Sequence, residues 1–303
     1  MNGTSRCRNG TGRRGSSIGR LRPPTGFLFL LPSLVIVALF SFWPLVYSLA
    51  MSFCHWRIVG PPAWCGLDNY LRAVRSPVFW TALTNTAVYA FVTVPAGLVL
   101  ALGSALLLNR RLAGRGAYRA VFFFPVLVSM VVVAMIWSWM FSEHVGVINP
   151  ILRAFGVEPR AWLADPKWAF RIIMGMSVWK GFGYGMVIFL AGLAAIPRSY
   201  YEAAEVDGAG PWQRFRHVTW PLLRPTTLFV LVTAFIGSFQ VFDQVYVLTR
   251  GGPGYATTVL VSLIYDEAYV RFRMGYACAL SYILFGIVLL WTLVQWRIMR
   301  RQA

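Results

Sequence analysis

The chain is poor in the side-chain combinations that do covalent chemistry. His55, His144 and His217 are scattered, with no His-x-x-x-His pair, and no two carboxylates fall within one apolar run to make an acid–base dyad. No G-x-x-x-x-G-K-[ST] loop is present, and the two lysines, Lys167 and Lys180, lie outside any glycine-rich strand-to-helix turn, so nothing here would cradle a nucleotide phosphate. Cys7, Cys54, Cys65 and Cys278 lack metal-ligand spacing. The expectation is a chain with no catalytic residue, no metal and no bound cofactor.

Two ionisable residues, Lys180 and Asp243, do sit inside long apolar stretches. Charges there cost several kcal/mol, of order ~3 kcal/mol at a helix centre, unless paired or wetted, and so mark function or structure. Three readings stand side by side: an ion pair near the outer mouth, separate snorkelling to the interface, and direct contact with a solute. Tyr184, Trp139, Gln240 and Tyr246 offer the flat apolar faces and hydrogen-bonding edges that suit a polar solute, and with Lys180 and Asp243 they are the candidates for a path through the chain.

The elements that must position these residues are membrane helices. Of 303 residues 58% are hydrophobic and 13% charged, with a mean hydropathy of +0.61, against about 25% charged in soluble domains. Six runs reach the roughly 20 residues that a helix needs to cross a bilayer, near 27–52, 83–108, 118–141, 169–194, 226–248 and 276–297. The first is too long for a cleaved leader and lacks an A-x-A site, and Arg13-Arg14 reads as anchoring more than as a twin-arginine signal. Most of the 28 basic residues cluster in the tail, the 2–3 loop, the 4–5 loop and the C-terminus, which puts both termini in the cytosol.

The net charge of +18 is therefore read as membrane anchoring, aided by anionic lipid, and not as nucleic-acid binding. The predicted fold is an all-α membrane protein: a basic cytosolic tail over 1–26, a six-span domain over 27–297 and a cytosolic tail over 298–303. A Cys54–Cys65 disulfide is one option, because that loop faces the oxidising side. Pro32, Pro44, Pro95 and Pro125 read as shaping the early spans. Gly181, Gly183 and Gly185 in span four read either as close packing through Gly181 and Gly185 or as a kinked, cavity-lining segment.

Between spans four and five lies a polar island, Tyr201-Glu202-Ala203-Ala204-Glu205-Val206-Asp207-Gly208-Ala209-Gly210, running on to Val218-Thr219-Trp220-Pro221. Its sequence proposes two short helices: Ser199 caps the first, Gly208-Ala209-Gly210 breaks it, Pro211 opens the second and Pro221 stops it, and a glycine at 208 suits a turn that needs a positive φ. Ala203 and Ala204 leave a bare patch for close approach, and Trp212 and Phe215 form an apolar stripe that either docks a partner or lies on the protein's own helix ends.

Glu202-Ala203-Ala204, then Gly208, then Val218-Thr219-Trp220-Pro221 resembles the EAA loop of permease subunits of ATP-binding-cassette importers, with Val218 and Trp220 where the family usually has isoleucine and leucine. Gly66-Leu67-Asp68-Asn69-Tyr70, Ile196-Pro197 and Phe242-Asp243-Gln244-Val245-Tyr246-Val247-Leu248-Thr249 before Gly251-Gly252-Pro253 point to its carbohydrate-uptake branch. The resemblance implies a coupling loop, 195–225, in which Glu202, Ala203, Ala204, Asp207, Gly208, Trp212, Phe215 and Pro221 meet an ATPase. It also implies a second, similar permease chain, two ATP-binding subunits that bind ATP with Mg, and an extracytoplasmic solute-binding protein, in a bacterial inner membrane. Sugar import is the expected function, with glycerol 3-phosphate or a glycerophosphodiester as the alternative and a stand-alone secondary transporter as the more distant one.

Overall fold

A computed structural model of the chain describes residues 23–110 and 113–300; the arginines at 6 to 22, Arg111 and Arg301, and Cys7, lie outside the described residues. The described residues up to Tyr47 form one compact unit and the described residues from Ser48 a second. In the first, α1 (Pro23–Val37) passes through a π-turn (Ala38–Phe42) into α2 (Trp43–Ser52), which continues into the second unit.

In the second unit a small hairpin, β1 (Cys54–His55) with β2 (Ala63–Trp64), leads into α3 (Asp68–Arg75) and α4 (Pro77–Leu108). There follow α5 (Arg115–Leu127), α6 (Met130–Met140), α7 (Ile148–Ala154) and α8 (Pro166–Ala194). After these come α9 (Arg198–Val206), α10 (Pro211–Arg214), α11 (Trp220–Phe239), α12 (Asp243–Leu248), α13 (Leu260–Tyr265) and α14 (Met274–Arg300). Among the described residues five helices are long and apolar enough to cross a membrane; α5 and α6 make a sixth span if their 94° bend is one broken crossing.

The long helices start where caps, not apolar runs, dictate. Ser76 before Pro77 accepts from the Phe79 amide, and Asp165 before Pro166 accepts from the Lys167 amide at 2.8 Å, so α4 and α8 begin six and three residues before the apolar stretches predicted at 83 and 169. Two further boundaries differ from expectation. The third span is broken, because Val128 and Ser129 are both extended, three residues after Pro125. The fifth is not one helix over 226–248: it runs from Pro211 to Phe239 and stops at Gln240, and α12 starts afresh at Asp243.

Pro221 does not stop a helix either. A π-turn over Phe215–Thr219, closed by the Trp220 amide on the Phe215 carbonyl, joins α10 to α11, and its wider turn gives the proline ring room against the preceding carbonyls. The same arrangement recurs at Trp43-Pro44, where the Trp43 amide meets the Ala38 carbonyl.

α8 is the hub, packed along α4, α5 and α11. Its glycines explain the closeness. A β-carbon at Gly183 would lie 2.2 Å from the Phe122 carbonyl oxygen, and one at Gly185 3.0 Å from the Ala101 β-carbon, while Gly181 has open space. Close packing thus runs through Gly183 and Gly185, where the sequence suggested Gly181 and Gly185, and the helix continues through all three without a break. The core lies in three patches: Phe235, Leu260 and Leu280 with α4; Ile173 and Met176 with α6 and α12; and Met186, Phe189 and Leu223 with α4.

Candidate functional site: a hairpin and a cavity on shared helices

The hairpin after α8 is built as a Schellman turn. The Gly208 amide donates to the Glu205 carbonyl (3.1 Å) and the Ala209 amide to the Ala204 carbonyl (2.9 Å), closing α9 around Gly208 at φ +74°. That satisfies the expectation of a positive φ. α9 opens at Arg198 after Pro197 and has no side-chain cap, so Ser199 lies inside the helix instead of capping it. Pro211 takes the first turn of α10 as expected, and the Gly210 amide donates to Gln213 Oε1 at 2.8 Å.

Two side-chain contacts brace the hairpin: Arg214 Nη1 on Glu205 Oε1 at 3.1 Å, and Tyr201 Oη with Thr219 Oγ1 at 3.0 Å. Glu202, Ala203 and Asp207 are exposed on α9 and its cap, and Ala204 is half-buried. Trp212 is 69% exposed, stacked on Phe215 at 5.6 Å, and Phe215 in turn faces Trp220 at 6.4 Å. The two contacts tie α9 to α10 and to the π-turn, and Trp212 is exposed beside them.

A cavity of about 340 Å³ lies between α4, α8 and α11, with Met130 and Gln244 also in its lining. Its polar groups are Tyr89, Thr93, Ser177, Tyr184, Thr233, Ser238 and Gln244, and no charged residue lines it. Gln244 Nε2 donates to Tyr89 Oη at 2.8 Å and to Ser177 Oγ at 3.3 Å, joining α12 to α4 and α8 at one point.

Of the residues proposed for a path, Tyr184 alone lines this cavity. Trp139 and Tyr246 line a separate hollow of about 530 Å³ with Arg250. Gln240 is exposed at the end of α11, and Asp243 is exposed at the start of α12. Lys180 and Asp243 do not pair: among the described residues the ion pairs are His55–Asp68, Arg214–Glu205, and Glu267 with Arg271 and Arg273. Lys180 Nζ instead donates to the Val126 carbonyl at 3.5 Å, at the C-terminal end of α5 where the break leaves carbonyls without helical donors. An interrupted helix in lipid needs such a partner.

Sequence reasoning missed Gln244, Tyr89 and Ser177. Their signal was present as hydrogen-bonding side chains within or beside apolar runs, but helical phase about the cavity was not readable. The Cys54–Cys65 disulfide is absent. The register pairs Cys54 with Trp64, the Cys54 thiol points to the Ala50 carbonyl and the Cys65 thiol to the Phe53 carbonyl, and burial raises the Cys65 thiol above its usual range.

Residues 93–294 match the family described as binding-protein-dependent transport system inner membrane component. The chain is 37% identical over 287 residues to the lactose transport system permease protein of Rhizobium radiobacter, covering 92% of this chain and 95% of that one. It is 38% identical over 277 residues to the trehalose/maltose transport system permease protein of Thermococcus litoralis, covering 91% and 93%. Its fold is similar to a chain of the crystal structure of a bacterial ABC transporter involved in the import of the acidic polysaccharide alginate, with a TM-score of 0.82, 26% identity, and coverage of 91% and 94%. The chain belongs to the binding-protein-dependent inner-membrane permeases, the membrane subunits of ATP-binding-cassette importers.

Proposed function

We propose that this chain forms half of an alternating-access path for a neutral, hydroxyl-rich solute, a sugar or oligosaccharide, driven by ATP hydrolysis in partner subunits. The observation that carries the reading is the shared framework: α8 and α11 line the uncharged cavity at one level and hold the braced hairpin at another. A partner that grips Trp212 and the bare Ala203 surface thereby moves the cavity walls.

The lining favours a sugar over glycerol 3-phosphate. An anion would meet no guanidinium or ammonium in the cavity, while hydroxyls find Tyr89, Ser177, Thr233 and Gln244, and the volume is at the small end of ligand sites. The sugar-importing relatives support the same class. In this reading Glu202, Ala203, Ala204, Asp207, Gly208, Trp212 and Phe215 contact an ATP-binding subunit carrying ATP and Mg. A second permease chain completes the path, and a solute-binding protein docks on the opposite side. Such a binding protein is present with the alginate transporter in a related crystal structure. The arginine-rich loops support an orientation with both termini and the hairpin in the cytosol.

The test is uptake by proteoliposomes holding the assembled importer, comparing a labelled disaccharide with labelled glycerol 3-phosphate. Saturable, ATP-dependent disaccharide uptake that falls with Gln244→Leu is expected. Uptake of the phosphate ester alone, or solute movement by the chain without ATP and partners, refutes the proposal.

A further inference from the structure

A polar hollow of about 280 Å³ lies apart from both the cavity and the hairpin, and three guanidinium groups converge on it from three elements: Arg57 after β1, Arg72 on α3 and Arg273 before α14. Its charge is not internally balanced. His55 is occupied with Asp68 at 3.1 Å, and Arg273 shares Glu267, at 3.6 Å, with Arg271. Among the described residues neither Arg57 nor Arg72 has a carboxylate partner, and no carboxylate lines the hollow. Arg72 is held over the Tyr276 ring at 4.9 Å.

The walls are fixed. Asn69, buried, donates to the Ser52 and Cys54 carbonyls at 2.9 and 3.0 Å, which ties α3 to the hairpin. The Gly275 amide donates to the Trp56 carbonyl at 3.1 Å, and a β-carbon at Gly275 would fall 2.0 Å from the Cys54 carbonyl oxygen, so the start of α14 presses directly on β1.

The hollow also sits at a membrane boundary. Arg273 immediately precedes the apolar span from Met274 to Arg297, and Arg72 lies five residues before Pro77, where another span begins. The same short segment exposes Ile58, Val59, Leu67, Leu71 and Val74. Guanidinium groups beside exposed aliphatic side chains at the water–lipid boundary match an amphiphile with an anionic head. A free anion would use the arginines and leave the aliphatic face unexplained. In the orientation proposed above this end faces outward, where positive-inside anchoring does not account for the three arginines.

We propose that this hollow binds the phosphate headgroup of an anionic phospholipid of the facing leaflet, with the acyl chains against the α3 surface. The same phosphate chemistry is offered by soluble phosphate, so the test separates them. The importer complex, purified in detergent, is titrated with dioleoyl phosphatidylglycerol, and retained lipid is counted by native mass spectrometry. The comparison set is dioleoyl phosphatidylcholine, and competition by inorganic phosphate.

Phosphatidylglycerol is expected to be retained in preference to phosphatidylcholine. An arginine near anionic lipid contributes a factor of about 5, so Arg57→Gln with Arg72→Gln weakens retention about 25-fold, while Arg75→Gln, on α3 but outside the hollow, changes it less than about two-fold. Arg57→Lys with Arg72→Lys keeps the charge and most of the retention. Equal retention by the glutamine double variant, equal retention of phosphatidylcholine, a lysine variant as weak as the glutamine one, or displacement of the lipid by equimolar phosphate would each overturn the proposal.

Discussion

Gly208 offers the sharpest test of the proposed coupling surface, because the structure gives it a distinct conformational requirement. It sits at φ +74°, and an added β-carbon would meet no atom within 4 Å, so a substitution there introduces no clash. The penalty is the left-handed backbone itself, about 1–2 kcal/mol for an L-residue and larger for a β-branched one. At 1.4 kcal/mol per decade, a hairpin that must keep its Schellman turn to dock loses about 5- to 30-fold in affinity for its ATPase. Asn, which tolerates this region, loses least, then Ala, then Ile.

The assay pairs a binding isotherm of the ATPase subunit on nanodisc-held permease with solute-stimulated ATP hydrolysis. The expected order in both is Gly208, Asn, Ala, Ile. Wild-type binding and coupling by Gly208→Ile would refute the claim that the turn is the docking conformation. A loss of folded permease as large in Asn as in Ile would show that the position matters for a different reason.

Further outcomes follow from other contacts. Gly183→Ala forces a β-carbon against the Phe122 carbonyl and is expected to cost about 1–3 kcal/mol, read as a lower melting temperature, whereas Gly181→Ala leaves it unchanged. Gln244→Leu removes the donor to Tyr89 Oη, and solute-stimulated ATPase activity should fall about ten-fold while binding of the ATPase subunit persists. Because Lys180 serves the Val126 carbonyl and not Asp243, losses in transport from Lys180→Met and Asp243→Asn should multiply in the double variant; rescue would restore the ion-pair reading. Burial raises the Asp266 carboxyl above its usual range, with Glu267 adding to this and Arg271 opposing it. A carboxyl raised on folding costs stability once pH exceeds its unfolded value near 4, so Asp266→Asn should melt higher than wild type at pH 7 and converge with it below about pH 4.

Much of this architecture is legible in the sequence. Long apolar runs announce membrane helices because lipid leaves the backbone no other partner, and Gly208 and Pro211 announce the hairpin because few residues fit those dihedrals. The failures have a common cause. The break at Val128–Ser129, the restart at Asp243 and the continuation through Pro221 depend on which carbonyls find donors from elsewhere, and hydropathy is blind to that. The ion-pair reading of Lys180 and Asp243, one of three, takes both residues to lie in continuous spans, but α11 ends at Phe239 and Asp243 opens a separate helix. The cavity escaped for a related reason, since Tyr89, Ser177 and Gln244 meet only through the crossing of three helices.

The uninterrupted run from Pro211 to Phe239 has a mechanical corollary. Twenty-nine helical residues reach roughly 40 Å, so a tilt of about 10° around one end sweeps the other by about 7 Å. The π-turn near its base leaves the rod in one piece, so in the proposed transport cycle an angular displacement at Trp212 would be carried along the rod to Thr233 and Ser238, which line the cavity.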